Sequence, residues 1–553
     1  MIITLFDFNG IRSIQQRLLD EGNTVYLCFN SSFLSKPLYN VSDSYGLQNA
    51  DNFHIVMSKV DVEKAIGCSN VIIYEGSRPS KRLSSFLTRM IHTYKKPIIN
   101  YASEHAFAFE KCRYYAKGFD TGFDNYKTYI CKSYKEFKKL NLKELFVIKA
   151  VNEDSILINS DYRTIVPKSF EELDSILKND TYHHFKSGGA VLEEYIKGTE
   201  LAFGFYWDGN NIVGNSVLVN QEYKGVWNND LGGILCGESG TAFRYTNLCE
   251  FNPRFHAIMT KCVNHFRRHF SDYKGLIDIN TIFNEDFSKV YLMEYTVRAG
   301  FPTSTEVCHT VKNYTNFISS LAFGTPYTDG YTSEGVNVGV CMYPYGTPIK
   351  NLADRSYLPI NGTVDNNIHM QYGIIKNNKY YFSNWDRTLI AISSGSTALK
   401  ANEKALKSLN KLSCWNLVYR SDIGSKWSSV YSKVFGDQFV VTDIVTFITS
   451  SMSSKNTLKS ILKDSHKVRS YTKLINKVVD GVDYFGCIVK DLYTYEVVGI
   501  LIYHRHYPEY IMDIDILFIK EDYLNLHLED KLFNYVNKCS GLQLVTKSYL
   551  TYK

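Results

Sequence analysis

Residues 290–302 read "VYLMEYTVRAGFP". Glu294, Thr296 and Arg298 alternate with the apolar Met293, Tyr295 and Val297, and Gly300 and Pro302 end the run. A period of two puts a carboxylate, a hydroxyl and a guanidinium on one face of a strand. Two readings fit: the wet face of an edge strand, or a metal–phosphate site at a strand end. Just upstream, "GLIDINTIF" (275–283) and the turn "NEDFSK" (284–289) make this stretch the second arm of a hairpin. Asp278 on the first arm can then meet Glu294 on one face. Two hard oxygen ligands of this kind suit Mg²⁺, or Mn²⁺ in its place. Arg298, on the same face, suits a phosphate or carboxylate.

Working outward, Lys149 ends the apolar run "FVIKAV" (146–151), where its charge must reach water or a partner. In "VLEEYIKGTELAF" (191–203), backbone groups at Glu194, Tyr195 and Ile196 could line an adenine slot, with Glu200 offered to ribose hydroxyls.

These motifs, in this order, resemble the ATP-grasp fold, and within it the phosphoribosylamine–glycine ligase family. "VLEEYIKGTE" stands for the family's Glu-Glu-Phe-Leu-x-Gly-x-Glu run and "NNDLGG" (228–233) for its Asn-Thr-Gly-Gly motif. "MEYTVRAGFP" stands for Glu-Phe-Asn-Ala-Arg-Phe-Gly-Asp-Pro. "RTLIAISSGSTALKANEKAL" (387–406) and "LVYRSDIG" (417–424) match its closing segments, so the likeness covers about 1–426. The resemblance implies that Lys149 and Arg113 hold ATP phosphates, that Glu194 to Ile196 contact adenine and that Glu200 contacts ribose. It places Asp278, Glu294 and Thr296 at the magnesium site, with Arg298, Gly232 and Gly233 facing the phosphoryl group or substrate carboxylate. Arg298 and Lys149 are its catalytic pair. The implied reaction joins an amino acid, glycine first, to an amine through an acyl-phosphate. A modified nucleotide or nucleobase is one candidate acceptor. The alternatives are a degenerate binding scaffold, the purine-pathway ligase itself, and a bifunctional ligase–acyltransferase.

The sequence also departs from the family pattern. Thr296 replaces a metal-binding Asn, and Phe301 an Asp. "AVNEDSIL" (150–157) lacks lid glycines that would let backbone N–H groups wrap phosphates, and "FDFNGIRS" (6–13) lacks a glycine-rich turn.

The implied fold class is α/β and α+β, multidomain. It comprises an N-terminal Rossmann-like domain (1–102), an ATP-grasp domain (103–330, lid about 122–188) and a small β-rich domain (331–426). Residues 427–553 resemble a GNAT acyltransferase core. Its loop "EDYLNLHLED" (521–530) has acids and no glycine, which counts against CoA binding at a helix N-terminus.

Composition sets the outer bounds. At 553 residues the chain is long enough for roughly three to five domains. A hydrophobic share of 44% and a charged share of 21% are those of a globular protein. A formal charge of +6 over this length gives no sign of a nucleic-acid partner. The 12 cysteines are scattered, with no C-x-x-C pair, as in a reducing cytosol. No signal peptide and no membrane span are expected, so the expected location is cytoplasmic. The Asn, Lys, Ile and Tyr bias is that of AT-rich genomes; for a viral protein the compartment is the host cytoplasm. His183-His184 reads as a solvated linker pair.

Overall fold

A computed structural model gives the architecture. It describes residues 1–7, 12–28, 51–76 (except 57), 81–102, 122–150, 164–234 (except 182 and 187), 239–298 (except 286), 300–344 (except 333–334), 358–382 (except 372, 377–378) and 389–427 (except 415–416). In the tail it describes 430, 434–435, 439–444, 478, 484–491, 497–506, 511–519, 528, 531–533 and 535–536. The chain divides into two compact units. One is 1–332 with 337–393 and 402–424; the other is 425–553 with 333–336 and 394–401.

The first unit opens with Ile2–Asp7 (β1), Thr24–Cys28 (β2), Phe53–Ile55 (β3), Val71–Glu75 (β4) and Ile98–Ile99 (β5). They pair in parallel in the order β3-β2-β1-β4-β5. Near-continuous apolar runs suit strands covered on both faces. One face packs on helices Lys59–Cys68 and Lys81–Tyr94 through Phe6, Ile72, Ile66 and Leu87. The other carries Ile3, Leu5 and Ile73 against helix Arg12–Asp20.

Next come Thr128–Cys131 (β6), Phe146–Ala150 (β7), Thr164–Ile165 (β8) and Ala190–Glu194 (β9), ordered β6-β9-β7-β8. Helices Tyr134–Lys139 and Phe170–Asn179 start at Ser133 and Ser169, whose hydroxyls accept from the Glu136 and Glu172 N–H groups. Phe146, Ile148 and Leu192 pack beneath them with Phe137, Leu173 and Leu177. Alternation therefore sends Lys149 and Glu193 to the opposite face.

The site rests on a nine-stranded sheet. Its strands include Gly198–Trp207 (β10), Ile212–Tyr223 (β11), Gly240–Thr246 (β14), Gly275–Asn284 (β15) and Val290–Thr296 (β16). It continues through Val336–Pro344 (β17), Leu389–Gly395 (β22) and Ile368–Met370 (β19) in the order β16-β15-β10-β11-β14-β17-β22-β19, with Leu417–Tyr419 (β24) beside β17. A ribbon of Gly225–Trp227 (β12) and Leu231–Ile234 (β13) projects from it. A separate sheet holds Leu358–Gly362 (β18), Gly373–Lys376 (β20), Lys379–Phe382 (β21) and Leu412–Ser413 (β23). The "DGNN" turn closes β10 onto β11, with Asp208 Oδ1 accepting from the Asn210 and Asn211 N–H groups at 2.8 and 2.7 Å.

The back of the nine-stranded sheet buries Phe203, Phe205 and Trp207 against Phe255, Phe266 and Phe270 of helix Pro253–His269 and its cap. The front packs at one end on helices Thr303–Thr310 and Tyr314–Phe323, which share a core with β1, β2 and β4. Asn100 ties the two layers, its Oδ1 accepting from Leu276 N–H (3.1 Å) and its Nδ2 donating to Glu75 Oε1 (3.0 Å). Gly275 (φ 138°) permits this approach, because a Cβ there would overlap Asn100.

In the second unit, Phe439–Asp443 (β25), Tyr484–Asp491 (β26), Val497–His506 (β27) and Ile511–Ile519 (β28) form an antiparallel sheet in sequence order. Cys487, Leu501 and Leu517 pack against Leu528, Leu532 and Val536. Residues 103–120 ("SEHAFAFEKCRYYAKGFD") and 456–478, whose sequences read as helical, lie outside the described residues apart from Val478. Among the described residues no helix is long and apolar enough to cross a membrane.

Candidate active site

The β15–β16 hairpin carries the acid pair in a register that spacing alone does not reveal. Asp278 lies opposite Thr296, and Asn280 opposite Glu294, with a bulge before Thr281. Asp278 and Glu294 share a face as diagonal neighbours, not as direct partners. Asn280 sits between them. Its Nδ2 donates to Thr296 Oγ1 (3.1 Å) and, at 3.4 Å, to Glu294 Oε1, while its Oδ1 is buried with no hydrogen-bond partner. Sequence reasoning passed over Asn280, although its place two residues after Asp278 was the signal. It brings to this face the amide oxygen that Thr296 lacks.

Asp278 is 6% exposed. Burial pushes its carboxyl up to about 8; Glu222 and Glu294 push the same way, and Arg298 and Lys224 oppose them. Arg298 therefore acts on the acid cluster electrostatically. Lys224 Nζ joins Glu200 to Glu222, the latter at 3.2 Å. Glu200, read as a ribose ligand, is half-exposed and held by this lysine.

Lys149 stands apart, on the β6–β9 sheet. It is buried and ion-paired to Glu193, its neighbour across β7 and β9. The Glu194–Ile196 segment follows directly. Glu194 N–H donates to Lys127 O (2.9 Å) and Tyr195 N–H to Leu145 O (3.0 Å), so neither amide is available to a base. Ile196 N–H has no backbone partner among the described residues. Arg113 and residues 151–163 lie outside the described residues.

Gly232 and Gly233 belong to the β12–β13 ribbon. The "NND" turn before them has Asn229 and Asp230 in the left-handed region (φ 60° and 57°). Arg420, 0% exposed, grips this turn. It donates to Asp230 Oδ1 (2.7 Å), to Gly225 O (2.9 Å) and in a fork to Asp422 (2.8 and 2.7 Å), and its guanidinium lies 5.1 Å over the Tyr223 ring. "NNDLGG" and "YRSDIG" are thus one structural feature.

The donors around Asp278 are hard oxygens: the Asp278 and Glu294 carboxylates, Thr296 Oγ1 and the unpartnered Asn280 Oδ1. Among the described residues no three His, Cys, Asp or Glu side chains converge on a metal position. Two carboxylates with neutral oxygens, completed by phosphate and water, fit Mg²⁺.

Residues 124–304 match the family model "Phosphoribosylglycinamide synthetase, ATP-grasp (A) domain". A phosphoribosylamine–glycine ligase of Halalkalibacterium halodurans is 24% identical over 264 residues, which is 46% of this chain and 58% of that protein. The chain thus spans little more than half the length of that relative. The phosphoribosylamine–glycine ligase of Thermotoga maritima superposes with a TM-score of 0.57 at 19% identity, covering 76% of this chain and 99% of that one. The biotin carboxylase domain of Hydrogenobacter thermophilus 2-oxoglutarate carboxylase, solved with MgADP, gives 0.52 at 13% identity, over 87% and 99% of the two chains. Sequence match and fold agree over this region: residues 124–304 are similar to the ATP-grasp domain of phosphoribosylglycinamide synthetase, and the chain shares the fold of the Thermotoga ligase.

Proposed function

We propose that the protein is an ATP-dependent carboxylate–amine ligase, joining an amino acid, glycine first, to an amine at the expense of ATP through an acyl-phosphate. The observation that carries this reading is the arrangement of Asp278, Asn280, Glu294 and Thr296 on one face of the β15–β16 hairpin, with Arg298 just past its end and acting on Asp278, within a region similar to a ligase domain. Asp278, Glu294, Thr296 and Asn280 would hold Mg²⁺, which when bound neutralises phosphate charge.

This chain's residues do the rest by position. Arg298 neutralises and orients the phosphoryl group or the carboxylate that receives it. Lys149 turns from Glu193 toward the phosphates, bringing a charge that burial has already desolvated. Ile196 N–H is left to adenine and Glu200 to ribose. No side-chain nucleophile is required; alignment and charge stabilisation supply the acceleration. In the same reading 1–102, 103–330 and 331–426 are the ligase's three parts and 427–553 an appended GNAT-like module.

An ADP-release screen over amino acids and amines tests it. The expected result is release that requires one of each and falls about 100-fold or more in Lys149→Ala. ADP release indifferent to both additions would contradict it. The scaffold reading is favoured by Thr296 and by the missing lid glycines of 150–157.

A further inference from the structure

Helix Thr303–Thr310 lies over the front of the nine-stranded sheet and buries Glu306 completely. Thr241 Oγ1 donates to Glu306 Oε1. Gly339, opposite Thr241 on β17, leaves the space the carboxyl occupies, since a Cβ there would overlap Oε1. Glu306 Oε2 has no hydrogen-bond partner.

The strand register brings further polar groups to the same face. Glu222 is opposite Thr241, and Asn220 opposite Phe243, which pairs on its other side with Asn337. Asn220 and Asn337 are each 1% exposed, and neither the oxygen nor the nitrogen of either amide has a partner. Five unpartnered buried polar atoms therefore belong to three side chains on this one patch. Folded proteins keep few such groups unless something completes them. Glu306 has no role in the phosphoryl end of the site as described above.

We propose that Glu306, Asn220 and Asn337 form a subsite for a cationic amine group, the nucleophilic end of the second substrate. The inference deepens the ligase reading and rests on it for the word substrate. The three available acceptors (Glu306 Oε2, Asn220 Oδ1 and Asn337 Oδ1) match the three N–H donors of a primary ammonium. An anion would meet two carboxyl groups, Glu306 and Glu222. Burial pushes the Glu306 carboxyl up to about 8, Thr241 opposing and Glu222 adding to the rise, so an arriving cation relieves the cost of ionising it. Glu222 acts on both Glu306 and Asp278.

The test uses the full chain without nucleotide. Methylammonium chloride is titrated while thermal stability is followed, with sodium chloride and tetramethylammonium chloride as controls for ionic strength and for a cation without donors. The expected result is a saturable rise in Tm with methylammonium alone. Its apparent affinity falls about tenfold or more in Glu306→Gln and in Asn220→Leu. Asn220→Leu also removes two unpartnered groups, so it is at least as stable as the parent; a purely structural role would not pair retained stability with lost binding. If Glu306→Gln does not fold, Asn220→Leu decides. No saturable rise in the parent, or an equal rise in a folded variant, would overturn the proposal. A separate Mg–ATP titration reports on the ligase reading, so the two failures are distinguishable.

Discussion

At the scale of single residues, Asp278 shows the tension between holding a site and holding a fold. An unfolded-chain Asp ionises near pH 4, whereas burial raises this one to about 8. Between those values the folded chain keeps a proton that the unfolded chain has lost, so stability falls as pH rises. In metal-free buffer with chelator, Asp278→Asn is expected to raise Tm by roughly 2–6 °C at pH 8 and hardly at all at pH 4. A scan at both values checks it, and an equal gain at both would place the effect elsewhere. The same residues show what a sequence exposes. That Asp278, Glu294 and Thr296 share a face was legible because strand alternation is local. The Lys149–Glu193 ion pair was not, since it depends on the register of strands distant in sequence. Glu306 was invisible for another reason: "TSTEVCHT" (303–310) is polar almost throughout, yet nearly all of it is buried, and nothing in its spacing says so.

At the scale of elements, the β12–β13 ribbon has Arg420 as its charged anchor. Two of its turn residues have positive φ, and Arg420, buried and bound to Asp230, Asp422 and Gly225 O, holds it together with the bonds of Asn228 and Asn229 to Ser421 and Asp422. Arg420→Met leaves Asp230 and Asp422 without their cation. The expected cost is about 3–5 kcal/mol, measured by urea unfolding of the full chain. A loss below about 1 kcal/mol would show the clamp to be incidental. Hairpins are the elements the sequence announces best. "DGNN" and "NEDFSK" each close antiparallel strands where turn chemistry predicts. The register within the second hairpin was not readable, because the bulge before Thr281 shifts the pairing and leaves Asn280, not Asp278, facing Glu294.

At the scale of the whole molecule, Asp278 and Glu222 lie on the front of the nine-stranded sheet and Glu306 on the helix above it, with Glu222 acting on both of the others. Lys149 and the segment leading to Ile196 lie on the smaller sheet β6–β9. The order of apolar runs and helical patterns reports local periodicity, which decides which elements form. It did not foretell that a single sheet would continue from the ATP-grasp strands through β17, β22 and β19, because pairing between distant strands leaves no local signature. The central claim is that the hairpin acids and Lys149 jointly grip a nucleotide triphosphate. Calorimetric titration of the full chain with Mg–ATP tests it most directly. The account predicts saturable binding that disappears on chelating the metal and weakens about tenfold or more in both Lys149→Ala and Glu294→Gln; binding absent from the parent chain, or unchanged in both variants, would contradict it.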